Sequence, residues 1–232
     1  MGRLRAALPL LLLLAAGGVL YASGLLDTLH PARLAAHQEA LHAQIARHPW
    51  LTRSAYVGLL TLTVATGLPG SVVIIFAGGL AFGVLEGTAL SSFGLTFGSL
   101  LLFLASRYAF GCGTRQPPAL VARLHRDFAR HPRGYALFLR FLPVAPFGLV
   151  TLCLSWLRCP LWLFLGATWL GGTVMLVFES SIGAGLGEAL RRHGQLEPAL
   201  LLQPQILAPL GAIALLALLA LIVQRRRRAP GD

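Results

Sequence analysis

Residues 54–110 carry two charges, Glu86 and Arg107, and are otherwise apolar or small. A bilayer core of about 30 Å is crossed by about 20 helical residues, so this stretch is far too long for one crossing. It breaks at Gly67-Leu68-Pro69-Gly70 and again around 83–87. The pieces on either side of Pro69 are about 15 residues each, about 22 Å as helix, and neither spans comfortably. Residues 87–110 do span. A second block repeats the pattern: 135–157 is interrupted by Pro143 and Pro146, and 160–185 makes a full span. A helix broken inside a membrane leaves N–H and C=O groups unpaired, which is tolerable only against protein or water. Two under-length, Pro-broken segments in corresponding places therefore predict a pair of re-entrant hairpins, 54–86 and 135–157. The plainer alternative is one Pro-kinked helix in each place.

Composition agrees with a membrane chain: 56% of residues are hydrophobic and 12% charged, about half the charged share of soluble domains. An anchor span is expected at 8–26, behind Arg3 and Arg5. A signal peptide shares that charged start, but the apolar run is long, and Leu20, Tyr21 and Ala22 make a poor cleavage site. A last span is expected over about 206–223, ahead of Arg225, Arg226, Arg227 and Arg228. Every one of the 19 basic residues is Arg. Eleven of them lie in the N-terminus, the 111–134 segment and the tail, against five in 27–53 and 187–203. That asymmetry puts both termini in the cytoplasm of a cell (plasma or inner) membrane. The hairpins then enter from opposite faces, and their tips at Pro69 and Pro143 approach near the midplane. An offset of 74 superposes Leu68-Pro69 on Leu142-Pro143, Gly98 on Gly172 and Gly111 on Gly185, in keeping with an inverted repeat. The expected fold class is an all-α polytopic membrane protein with about four full spans and two facing hairpins. Its parts are 1–53 (anchor and periplasmic segment), 54–188 (core) and 189–232 (last span and Arg-rich cytoplasmic tail).

Between 116 and 133, Leu120, Val121, Leu124 and Phe128 fall on one helical face and Arg123, Arg126, Arg130 and Arg133 on the other. This predicts a helix lying on the cytoplasmic leaflet, or else a solvated connector. The net charge of +11 is thereby directed to anionic lipid headgroups, not to nucleic acid. His30, His37, His42 and His48 lack the i, i+4 spacing of a helical metal pair, and the three Cys form no ligand set. The chain has no Lys and so no phosphate-binding P-loop. No metal, no cofactor and no enzymatic activity are expected.

Four charges sit within or at the ends of apolar runs: Glu86, Arg107, Arg140 and Glu179. A charge at the bilayer centre costs about 2.5–3.5 kcal/mol on insertion scales, so each is a functional candidate. Arg107 lies in the last turn of its span and can snorkel to headgroups. Arg140 lies three residues before Pro143 and reaches neither surface easily. It needs an anion, supplied by Glu86, Glu179 or a substrate. The two Glu are candidate proton carriers.

With these residues assembled, the chain resembles the DedA-like superfamily, also called the SNARE-associated Golgi or VTT-domain family, and within it the late-Golgi vesicle protein branch. The resemblance covers roughly 54–188 and rests on Leu68-Pro69-Gly70, the 77–83 Ala-Gly-Gly-Leu-Ala-Phe-Gly string, Gly87, Phe97-Gly98-Ser99, Arg107-Tyr108 and, above all, Arg140-Phe141-Leu142-Pro143-Val144-Ala145-Pro146-Phe147. It implies two facing hairpins and the movement of lipid between leaflets: phospholipid scrambling in eukaryotic members, recycling of undecaprenyl phosphate or phospholipid in bacterial ones. Thr151 stands where the branch commonly has Asn, and Ser155 at a following Gly position. The first hairpin lacks the acidic residue of many bacterial relatives, and the second Arg of their second hairpin is absent. Proton coupling through those groups is therefore not implied, which leaves Glu86 and Glu179.

The expected function is a lipid translocase, flippase- or scramblase-like. Arg140 and Arg107 would engage a lipid phosphate, with Gly70, Gly78 and Gly79 permitting close backbone approach and Pro69, Pro143 and Pro146 shaping the tips. A proton- or ion-coupled solute transporter and a non-transporting membrane organiser are the alternatives. Single-cysteine labelling, in a background lacking Cys112, Cys153 and Cys159, tests the topology. Positions 69 and 143 should resist reagent from the side opposite their entry, and ready labelling of 69 from the cytoplasm alone would reject the hairpins.

Overall fold

A computed structural model describes residues 38–67, 70–111, 128–140 and 146–193, most of 9–24, and single residues at 125 and 211. Among the described residues every regular element is helical. Six helices follow in order: α1 (Gln38–Arg47), α2 (Pro49–Thr66), α3 (Ser71–Gly111), α4 (Pro132–Arg140), α5 (Phe147–Trp156) and α6 (Leu161–His193).

Pro49 opens α2 at a position where a missing N–H costs nothing. Gly67 closes it in the left-handed region, at φ 69°, with its N–H donated to the Val64 carbonyl at 3.1 Å. After Gly70, whose carbonyl accepts from the N–H groups of Val73 and Ile74, α3 begins. It does not run straight. At Gly83 the backbone takes φ 78° and ψ −178°, outside the helical range. A Cβ at Gly87 would stand 2.9 Å from the Gly78 carbonyl oxygen. Nine residues of straight helix would separate those positions by about 13 Å, so the chain folds back at Gly83. We call the limbs α3a (71–82) and α3b (84–111). Arg53 meets Glu86, Tyr56 meets Ser91, and Thr61 meets Gly94, so α2 advances in parallel with α3b. The intervening α3a is antiparallel to α2, with Phe82 edge-on to Tyr56.

The second block has the same order of parts, two short limbs and then a long helix. Phe103 stacks on Phe164, Ser92 bonds Thr173, and Arg107 bonds the Cys159 carbonyl, so α6 runs antiparallel to α3b. The end of α2 meets the start of α5, where a Cβ on Gly148 would lie 3.2 Å from Gly67 Cα. At the α3–α6 crossing, a Cβ on Gly79 would collide with the Ser180 backbone, and one on Gly183 with the Phe76 backbone. Helices this close are held by dispersion between small residues, which suits an apolar solvent.

Two described helical stretches, Ser71–Ala109 and Leu161–Glu188, are long and apolar enough to cross a membrane. Their outward faces are apolar: Phe93, Phe97, Leu101, Leu104 and Tyr108 line one side of α3b and are exposed, as are Trp162, Trp169 and Leu170 on α6. The interior holds Thr63, Ser91, Ser99, Ser106, Ser155 and Thr168. An apolar outer face around an interior that also holds hydroxyls suits a protein bathed in lipid.

The elements differ from the sequence expectation at their ends. α2 starts at Pro49, ahead of the expected 54, and α4 at Pro132, ahead of 135. The second break, expected around 83–87, falls on Gly83 itself, and α6 continues to His193, past the expected 185 and past the 188–189 domain boundary. Hydropathy marks the apolar portion of a helix, whereas the Glu-Ala-Leu-Arg-Arg run after Gly187 favours helix without being apolar. Pro69, Pro143 and all of the expected 206–223 span but Gly211 lie outside the described residues, as do Leu120, Val121, Arg123, Leu124 and Arg126 of the surface helix. Of that helix's apolar face, Phe128 is buried in the core, while Arg130 and Arg133 are exposed.

Gly79→Val should lower the melting temperature in detergent, an overpacking loss of about 1–3 kcal/mol, because backbone cannot give way. Gly166, with open space around its Cβ position, should accept Ala with unchanged or raised melting temperature.

Candidate functional site

Arg140 is the last residue of α4 and is 7% exposed. The side chains of Ala136 and Leu139 anchor its helix in the core shared by α5 and α6. Gly171 on α6 opens the space beside it, since a Cβ there would stand 2.8 Å from the Arg140 Cβ. The guanidinium carbon lies 4.2 Å from the Phe147 ring centroid and 5.0 Å from that of Phe164. Nη1 donates to Thr151 Oγ1 at 3.2 Å, and Thr151 passes its own hydrogen to the Phe147 carbonyl at 3.0 Å. Nε and Nη2 are buried and have no partner among the described residues. A guanidinium has five N–H donors, and leaving buried donors unmade is costly. No carboxylate among the described residues meets this cation.

Neither Glu pairs with it. Glu86 is taken by Arg53, whose Nε lies 2.5 Å from the carboxylate and whose guanidinium also sits 5.9 Å from the Trp50 ring. The pair stands three residues beyond the Gly83 bend and ties the start of α2 to the start of α3b. Glu179 is half-buried on α6, and no Arg among the described residues pairs with it.

Arg107 is exposed and donates to the Cys159 carbonyl at 3.1 Å, so it fastens the end of α3b to the 157–160 turn. It also lies over Phe103, 5.8 Å from the ring centroid. Because Phe103 and Phe164 stack at 4.1 Å, Arg107, Phe103, Phe164, Arg140 and Phe147 form one continuous column. The structure thus joins the two Arg through rings that hydropathy marks only as core. Cation–π contacts of this kind contribute about 0.5–2 kcal/mol each and leave N–H edges free for a ligand.

The glycines serve differently from the expectation. Gly78 is buried against the Tyr56 ring, and Gly79 against the Ser180 backbone. The close approach they permit is of protein to protein, with no room left for a headgroup. Gly70 caps α3 through its carbonyl at the tip. Pro146 is exposed and immediately precedes α5. Sequence reasoning missed Phe147, Phe164 and Arg53 as contributors. Phe164 and Arg53 have partners far off in the chain that no local spacing signals, whereas Phe147 stands seven residues after Arg140 in the Arg140-to-Phe147 string, which shows the residue without showing its ring against the guanidinium. Among the described residues no group of three His, Cys, Asp or Glu is placed to hold a metal.

Removing an unpaired buried charge relieves a cost, so Arg140→Met should not lower the melting temperature in detergent. Thr151→Val, which removes the cation's one hydrogen-bond partner among the described residues, should lower it by the equivalent of about 1–3 kcal/mol.

Residues 68–185 match the family model of the VTT domain. No curated protein and no solved structure matches the chain. The matched stretch covers both limbs of α3, α4, α5 and most of α6, and so contains both Arg140 and the ring column. With half of its length in that match, the chain belongs to the VTT-domain family, the DedA and SNARE-associated Golgi proteins.

Proposed function

We propose that this protein is a translocase that carries a phosphate-bearing lipid, such as a phospholipid or undecaprenyl phosphate, between the leaflets of a cell membrane. In this reading α2–α3a and α4–α5 are re-entrant hairpins entering from opposite faces, flanked by four full spans with both termini cytoplasmic. The observation that carries it is Arg140: a buried guanidinium with two nitrogens unpartnered among the described residues, set between the rings of Phe147 and Phe164. A permanent cation is retained at such a position when its anion arrives from outside. The apolar outer faces of α3b and α6 give acyl chains a surface to follow while the headgroup passes inside. Arg107 stands at the other end of the ring column as a first contact for the same phosphate.

Glu179 favours a second reading, a proton- or ion-coupled solute transporter, because it is half-buried without a cationic partner. Reconstitution separates the two. In liposomes holding headgroup-labelled lipid, the wild-type protein should speed exchange between leaflets. Arg140→Lys should keep part of that rate, because it preserves the charge and loses the bidentate geometry. Arg140→Gln should abolish it while the protein remains folded. Full lipid exchange by folded Arg140→Gln would sink the translocase reading. Solute uptake that depends on Glu179 without any lipid exchange would establish the transporter instead.

A further inference from the structure

Thr168 lies in the middle of α6 and is wholly buried, with 0% exposure. A buried helical Ser or Thr ordinarily satisfies its hydroxyl by donating back to a carbonyl three or four residues earlier. This chain does so repeatedly: Thr63 to Leu59, Ser106 to Leu102, Thr151 to Phe147. The Thr168 hydroxyl has no partner among the described residues. Its position on the helix explains why that matters. Phe164, one turn before it, stacks against the Arg140 guanidinium, and Gly171, three residues after it, admits the Arg140 Cβ. Positions at i−4 and i+3 share a face with i, so Thr168 stands on the strip of α6 that lines Arg140.

Two buried side chains with donors unmade among the described residues therefore belong to one α4–α6 interface, Arg140 on α4 and Thr168 on the strip of α6 that lines it. We propose that Thr168 is a second ligand of the anion that Arg140 holds, its hydroxyl donating to a phosphoryl oxygen while Arg140 Nε and Nη2 donate to the others. This deepens the lipid-phosphate reading and rests on it. Thr151 is a positioning residue in this arrangement: its lone pair holds Nη1 and its hydrogen is already committed to Phe147, so it aims the guanidinium without touching the anion. The ligand chemistry is a phosphoryl oxyanion, whether on a lipid headgroup or free.

The test is melting of the full-length protein in neutral detergent, titrated separately with dodecyl phosphate, inorganic phosphate and short-chain phosphatidylcholine. Dodecyl phosphate should raise the wild-type melting temperature in a saturable way. Thr168→Val keeps the shape and removes an unsatisfied hydroxyl. It should melt like wild type without ligand and need about tenfold more dodecyl phosphate for the same shift, the loss of one hydrogen bond to a charged group. Thr168→Ser should titrate as wild type. A structural role would instead lower the ligand-free melting temperature of Thr168→Val and leave the titration unmoved. An equal titration by wild type and Thr168→Val overturns the assignment, and if Arg140→Met has lost the shift the Arg140 reading survives that failure. An Arg140→Met protein that titrates as wild type, or a wild type that no phosphate shifts, overturns both. Inorganic phosphate acting as well as dodecyl phosphate, with the same loss in Thr168→Val, supports the cradle and makes its ligand free phosphate.

Discussion

Everything in this molecule hangs on how closely α3 and α6 approach each other. In an apolar solvent the hydrophobic effect does not press helices together, so contact area and polar pairing must do so. Gly79, Gly172 and Gly183 remove side chains where backbone and neighbouring side chains of the partner helix pass, and Ser92 bonds Thr173 across the same seam. The seam fixes the position of Phe164 opposite Phe103, and that stacked pair in turn fixes both guanidinium groups. A loss of contact at the glycines would be felt at Arg140, although no glycine of the α3a–α6 crossing touches it.

The interior built this way is unusual in what it leaves undone. Several of its buried hydroxyls donate to the preceding turn, as Thr63, Ser106 and Thr151 do, and others bond across an interface, as Ser91 does to Tyr56, Ser92 to Thr173 and Ser155 to the Phe103 carbonyl. Thr88, Thr168 and Ser180 are the buried exceptions among the described residues, together with Arg140. Unmade hydrogen bonds in a low-dielectric setting cost more than they would in water. A fold that tolerates them gives up stability at those points, as functional sites commonly do.

Much of the fold was legible in the sequence because its signals are local. Glycine and proline breaks at 67–70, 83–87 and 143–146 divide apolar runs at places where the lengths already argue for reversal. The break at Gly83 and the close approach of Gly67 to Gly148 agree with that division. Arg140 stood out by the same kind of reasoning, as a charge too deep to reach water. What could not be read was pairing. Arg53 was counted with the residues outside the membrane, and nothing in a spacing of 33 residues ties it to Glu86. Gly78 and Gly79 looked like open backbone for a ligand because a sequence shows a missing side chain without showing what fills the space.

The bend at Gly83 has a consequence for the whole of the chain that follows it. As one straight helix, Ser71–Gly111 would be a rod of about 60 Å, twice the hydrocarbon thickness. Folded at Gly83, it becomes a short limb that turns back and a long one that crosses. In the proposed topology that choice bears on how many times the polypeptide has crossed by residue 111, and so on which face later segments emerge. There the parity of the molecule, and with it the side from which α4 delivers Arg140, depends on a residue that can adopt φ 78° without strain.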